Sequence, residues 1–396
     1  MTISWTRGRR AAVALAALLT IAAAPVPATA ALPLVSATPE STVGFDGLVY
    51  ASAYVGSTVY VGGSFGNAMV DGKKVPRKRL AALDARTGKL LPWAPQANGT
   101  IWAMVAAGSS VYVSGKFTTV GGQSRAGLAG LDLSTGAVGK LRATVKGSGL
   151  ALTAGSGRLY LGGSISSVDG RAVGNLAAFK LADETVDTGF RGSTDGEVRA
   201  LSVGGSRLYV GGSFKRAGNS DNTARLAALG LDDGQVDTTF RPATPYGVMA
   251  LTHDSTRIYA GLSGPGGRVA TYRVDGSLVW STVTDGDIQA LVQLRGVVYA
   301  GGHFVVSCTR PSRNATAWCP TTMPAQPKLV AFDATTGWLL DWNPRSNGKW
   351  GVLTMSAGAA QRTFAVGGEM TAFGGASRPH FALFSGIGYG TGGGRR

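Results

Sequence analysis

A chain of 396 residues with 38 Lys and Arg against 22 Asp and Glu carries a formal charge of +16, and 60 of its residues are glycine. A metal centre would need two good ligands beside its two cysteines, and none lies near them in sequence. No stretch after residue 30 carries a sustained helical period, which excludes a helical bundle. The length exceeds the usual size of one compact core unless the architecture repeats.

The N-terminus reads as an export signal. Arg7, Arg9 and Arg10 form a positive start, Ala11 to Ala24 an apolar stretch, and Ala28-Thr29-Ala30 a cleavage site, with the cut expected after Ala30. The apolar run is too short to span a bilayer comfortably. No second such run follows, so no membrane span is expected. The adjacent Arg9-Arg10 permits a twin-arginine route as well as the general secretory one. The expected organisation is a signal peptide over 1–30, one repeat domain over 31–386 and a flexible glycine-rich tail over 387–396. The secreted chain would keep a charge of +13, because the signal removes three arginines and no acid.

Beyond residue 31, apolar residues alternate with period two in short runs broken by Gly, Asp and Ser. The stretch VYVGGSF (Val59 to Phe65) returns as VYVSGKF, LYLGGSI, LYVGGSF and VYAGGHF. The aromatic before the glycine pair marks seven copies, at Tyr60, Tyr112, Tyr160, Tyr209, Tyr259, Tyr299 and Phe364. Nine residues earlier stands Ala51, Ala103, Ala151, Ala200, Ala250 or Ala290, with Met355 in the seventh copy. Ten residues before that alanine lies a large apolar residue in most copies: Trp93, Leu141, Phe190, Phe240 and Trp280. After each marker a variable loop leads to a run such as LAALD (Leu80 to Asp84) or LVAFD (Leu329 to Asp333), then to a tight turn.

Each copy therefore reads as four strands. The sequence predicts an all-β fold, a seven-bladed β-propeller of four-stranded antiparallel blades. The seventh copy stops after its third strand, and Leu32 to Pro39 resembles the segments LLPWAP and LLDWNP that form the fourth strand elsewhere. This N-terminal strand is expected to complete the last blade and close the ring, leaving no open edge.

LDDGQVDTTFRP (Leu231 to Pro242) and ETVDTGF (Glu184 to Phe190) resemble the delta-60 repeat of bacterial propellers, with its aspartate-glycine turn and Asp-Thr-x-Phe run. The resemblance covers nearly all of 32–386. It implies a propeller fold, and it implies little about function, since its motifs are structural. ALDARTGKLLPW also resembles the tryptophan-docking repeat of quinoprotein dehydrogenases. Those enzymes carry eight blades and a disulfide between neighbouring cysteines, whereas here there are seven copies and cysteines eleven apart. No cofactor is expected.

Few residues offer chemistry. The glycine pairs lack the helix and Lys-Ser/Thr of a phosphate cradle and read as points of close packing. Asp84, Asp132 and Asp333 precede Thr-Gly and read as turn caps rather than metal ligands. His253, His303 and His380 stand in different copies, without a nucleophile pattern. Cys308 and Cys319 are expected to pair in an exported protein. Glu197 and Asp287 share one repeat position, three before the alanine, and follow Asp195 and Asp285. Gathered at a channel mouth, such carboxyls could supply a general acid and base for a carbohydrate hydrolase or lyase. The bland reading of the same residues is a pair of solvated turns.

Charge is more informative. The loops between second and third strands hold 15 Lys and Arg against Asp71, Asp169 and Asp221. Strand alternation puts those loops on one face. Lys73, Lys74, Arg77, Lys78, Arg79, Arg125 and Arg378 are the candidate binding residues, and Arg77, Arg125 and Arg378 share one repeat position. A one-sign face concentrates anionic partners, here an anionic cell-wall or extracellular polymer or an acidic protein surface. The exported compartment and the absence of interleaved aromatics argue against nucleic acid. The functional expectation is a non-enzymatic binding or scaffold module.

Overall fold

The computed structural model describes residues 1–2, 32–358, 362–386 and 388–389. The signal peptide expected over 1–30 and the tail expected over 387–396 fall outside the described residues, save Met1, Thr2, Gly388 and Tyr389. From Leu32 onward the described residues form strands, turns and bends, with no helix.

Seven antiparallel sheets share one order, a first strand hairpinned to a second and the second paired with a third. The first strands are Val49–Val55, Ile101–Ala107, Val145–Gly155, Val198–Gly204, Val248–His253, Ile288–Leu294 and Val352–Gly358. Each lies beside the next, and Val352–Gly358 lies beside Val49–Val55. The second strands begin with Thr58–Gly63 and end with Thr363–Gly368, and the third strands run from Leu80–Asp84 to Phe381–Phe384. We number these sheets as repeats one to seven.

Period-two alternation explains how the sheets pack face to face. In Thr58–Gly63, Val59 and Val61 join a core with Phe45, Phe65 and Phe381. Tyr60 faces the other way, into a core with Trp93 of its own repeat and Ile101 and Leu131 of the next. The marker aromatic meets the large apolar residue of its own repeat, as in Tyr60–Trp93 at 5.0 Å, Tyr209–Phe240 at 5.4 Å and Tyr299–Trp342 at 5.0 Å. Each such pair contributes about 0.5–1.5 kcal/mol beyond its burial. The Trp93 indole N–H also reaches the Asp132 carbonyl at 2.9 Å, tying repeat one to repeat two.

The glycine pair has two separate reasons. A Cβ on Gly62 would stand 2.6 Å from Ile101 of the next repeat, and one on Gly367 would stand 2.5 Å from Val49. A Cβ on Gly63 would stand 2.0 Å from the Leu48 carbonyl, inside its own repeat. The first glycine lets neighbouring sheets approach, and the second lets its own hairpin close.

The seventh repeat is offset from the sequence marker by one residue. Tyr60 pairs with Ala53, and the residue at that register in repeat seven is Ala365, opposite Ser356. Phe364 therefore occupies the place of Val59 and packs backward on Tyr299, Trp342 and Phe384. Thr354 replaces Met355 as the counterpart of Ala51, so that position is small there too.

Among the described residues, the fourth strand is a full ladder only in repeat five, as Leu278–Val283. Repeat three keeps two residues, Thr185–Val186. Repeats one, two, four and six keep single bridges at Leu90, Val138, Val236 and Leu339. Proline accounts for part of this: Pro92 and Pro95 lack N–H groups where repeat one would continue its ladder, whereas LVWSTV in repeat five contains none. In repeat seven the N-terminal segment takes this place. The Glu40 N–H donates to the Leu383 carbonyl at 2.8 Å, as the Leu91 N–H does to Ala82 in repeat one. The contact thus falls on Ser36 and Glu40, while Pro33–Leu34 pairs with Gly388–Tyr389.

Candidate functional site

The loops that follow the second strands divide their cations into two kinds. Lys73, Lys74 and Lys78 are exposed, on and just beyond the hairpin formed by Asn67–Val70 and Lys73–Pro76. None of the six ion pairs among the described residues uses a lysine. The shared-position arginines behave differently. Arg77 donates to the Leu91 carbonyl at 2.9 Å, Arg125 to Gly139 at 2.8 Å and Arg378 to Glu40 at 2.8 Å. Leu91, Gly139 and Glu40 are equivalent, each donating its own N–H to the third strand of its sheet. These arginines therefore clamp the loop to the fourth-strand position, and in repeat seven they clamp the N-terminal segment. Arg125 is only 4% exposed. Burial lowers the basicity of Arg77 and Arg125, and neither loses its charge.

Arg79 has a third role. It stands just before the third strand with φ of 74°, as do Asn175, Arg225, Lys328 and His380 with φ of 63–69°. Left-handed backbone costs about 1–2 kcal/mol at such residues. Two backbone bonds offset the cost, for the Arg79 N–H donates to Phe65 and its carbonyl accepts from Gly63. Its guanidinium also donates to the carbonyls of Ser64 and Phe65. Among the seven candidate binding residues, the three lysines make no side-chain hydrogen bond among the described residues, whereas each arginine gives at least one guanidinium nitrogen to backbone carbonyls. The arginines still add to the field of the face, because a hydrogen bond to a carbonyl leaves the charge in place.

The acidic residues next to these loops are occupied as well. Asp195 accepts the amides of Lys215 and Arg216, at 2.7 and 2.9 Å, and Asp285 those of Val305 and Val306. Asp46, Asn98 and Asn347 make the same pair of bonds in three other repeats. The Arg216 amide is the main cause holding the Asp195 carboxyl below its usual range. Glu197 binds the Arg199 guanidinium at 2.5 Å and the Ser164 hydroxyl at 2.8 Å, while Asp287 accepts the Gly264 amide at 3.1 Å. The structure brings Glu197 and Asp287 onto different partners. No group of three or more metal-ligating side chains occurs among the described residues. Asp84, Asp132 and Asp333 each accept two amides of their own turns.

Sequence reasoning missed the bulge. Every first strand skips one residue in its pairing, between Val49 and Ala51 in repeat one and at the same register in the other six. A bulge re-aims the side chain of the residue it leaves unpaired. Those residues are Tyr50, Trp102, Leu150, Arg199, Met249, Gln289 and Leu353, and all seven line one cavity of 240 Å³. The available signal was the residue before the repeated alanine, which differs widely from copy to copy while the alanine holds in six of the seven.

Cys308 and Cys319 form the expected disulfide. The inserted chain adds to repeat five, where Ser312 exchanges backbone bonds with Ser281 and the Cys308 N–H reaches Val283. Trp318, 58% exposed, leans over Gly266.

These features define a β-propeller-type fold, all-β and built by repetition of antiparallel sheets. The WD40 β-propeller domain of Doa1 superposes with a TM-score of 0.53 at 10% identity, over 89% of this chain and 97% of that one. The computationally designed Ika8 protein does so with a TM-score of 0.50 at 13% identity, over 89% of this chain and all of the other. Neither a protein-family profile nor a curated protein matches the sequence. At such identities the likeness shows the fold alone. Among the described residues no helix is long and apolar enough to cross a membrane.

Proposed function

We propose that the chain is a secreted, seven-bladed propeller of delta-60-like repeats, closed by its N-terminal segment, that works as a non-enzymatic binding module. Its loop face engages an anionic extracellular or cell-wall partner. The observation that carries this reading is the trio Lys73 and Lys74 on the hairpin and Lys78 just beyond it, all exposed and in no ion pair among the described residues. Ammonium groups on an exposed ribbon bind phosphate or carboxylate as point charges, and such binding is screened by salt.

The test is retention on an immobilised anionic polymer. Binding at low salt should fade by a few hundred millimolar, where the Debye length falls below about 8 Å. Replacing Lys73, Lys74 and Lys78 together by Glu should abolish it. Reversing Arg86 and Lys89, in the turn after the third strand, should leave it intact. Equal loss from both sets, or no binding at low salt, would overturn the reading.

A further inference from the structure

The cavity between the first strands offers a different chemistry from the lysine hairpin. Each first strand is the edge of its sheet, so its unpaired backbone N–H and C=O groups border the cavity. Groups that both donate and accept suit hydroxyls, which do the same. Among the described residues, Arg199 is the one charged residue that lines it. Its Nε is held by Glu197, and Glu197 in turn by Ser164. With Nε committed, the Nη1 and Nη2 edge makes no hydrogen bond among the described residues. That edge is the planar fork that fits a carboxylate with two parallel bonds.

Aromatic surface lies elsewhere on the wall. Tyr50 stands three repeats from Arg199 around the cycle of first strands, and Trp102 comes from the adjacent strand. Such rings present a flat apolar face with a polar tip, suited to the C–H face of a sugar ring. The volume of 240 Å³ falls below the roughly 300–1,000 Å³ of drug-sized sites, which leaves room for about one ring.

We infer that this cavity binds a single carboxylated sugar residue of the uronic-acid class. The carboxylate lies on the Arg199 fork, the hydroxyls on strand-edge backbone groups, and the ring against Trp102 or Tyr50. A free sugar acid and the end residue of an acidic polysaccharide offer the same chemistry. Binding here does not require the lysine hairpin, so this inference and the loop-face reading fail separately.

The test is a ligand-observed NMR titration of the intact protein with glucuronate, glucose, acetate and a glucuronate-ended oligosaccharide. Glucuronate should bind at least about tenfold tighter than glucose or acetate. Arg199→Gln should bring glucuronate down to the affinity of glucose and leave glucose unchanged. Glu197→Gln keeps an acceptor for Nε and removes a like charge, so it should tighten glucuronate about threefold. Trp102→Leu should weaken glucose and glucuronate alike, and the triple lysine replacement should change neither. An oligosaccharide that binds more tightly than the monosaccharide identifies the polymer as the source, and the reverse identifies the free acid. The inference is overturned by no glucuronate binding up to about 10 mM, by equal binding of glucose, or by glucuronate affinity that survives Arg199→Gln.

Discussion

Arg77 and Lys78 are neighbours in sequence, on one loop of one face, yet they serve opposite ends. Arg77 turns inward and donates to the Leu91 carbonyl, whereas Lys78 stays in water. The same division separates Arg125 and Arg378 from Lys73 and Lys74. Guanidinium is planar, weakly hydrated and rich in donors, so it can be buried against backbone carbonyls at modest cost. Ammonium is strongly hydrated and stays outside unless paired. A basic face is therefore two things at once here, an internal clamp made of Arg77, Arg125 and Arg378 and an external field to which exposed Lys73, Lys74, Lys78 and Lys215 contribute with exposed Arg171, Arg216, Arg310 and Arg313.

The comparison breaks most sharply at Arg125. Arg125→Ala strips donors from the Gly139 and Ser124 carbonyls and leaves a hole where a side chain only 4% exposed had packed, so we expect a loss of about 2–3 kcal/mol by denaturant unfolding. Arg378→Ala should cost less, about 1–2 kcal/mol, since its site is half-exposed, and should raise the proteolysis rate of the N-terminal segment that it holds through Glu40. Replacing Lys73, Lys74 and Lys78 by Ala should change stability by less than about 0.5 kcal/mol while binding to anionic polymer is lost.

Acid sharpens the contrast further. The Asp84 and Asp195 carboxyls are held below their usual range chiefly by the amides of Thr87 and Arg216. Their stabilisation is present above the unfolded pKa of about 3.9 and is lost as pH falls through the lower folded values. Burial lowers the pKa of the His253 imidazole, so thermal midpoints should fall modestly below about pH 6.5 and more steeply below about pH 4, with the lysines charged throughout. The smallest effect is expected from the disulfide. Reducing Cys308–Cys319 should loosen the insertion and shift the global midpoint by less than ~2 °C, because the hydrogen bonds of the insertion run locally, to Arg268, Ser281 and Val283 of repeat five and Leu339 of repeat six. A large cooperative loss on reduction would show that the insertion supports the whole fold.

Much of the fold was legible because seven copies repeat one argument. The marker aromatic, the glycine pair and the alternating apolar residues fix which face of each strand is buried, whatever the neighbours are. The offset in repeat seven escaped that reading, since Phe364 imitates the marker while the register follows the glycines Gly367 and Gly368. The short fourth strands escaped it too, because the residues matched the pattern while prolines, Pro92 and Pro95 in repeat one, cut the ladder.

The candidate site was less legible. Composition gave the sign of the loop face, and no pattern in Arg77, Arg125 or Arg378 reveals that each guanidinium is tied to the fourth-strand position, for that depends on a carbonyl about fourteen residues further along the chain, or, for Arg378, at Glu40. The sequence by itself determined an all-β chain of near-identical antiparallel units, since period-two burial and glycine spacing are local properties. Only the tertiary structure decided which cations face water, and that Arg199 stands in a cavity with Tyr50 and Trp102. Those facts arise where separate repeats meet, and the distances that create them are set by packing rather than by chain order.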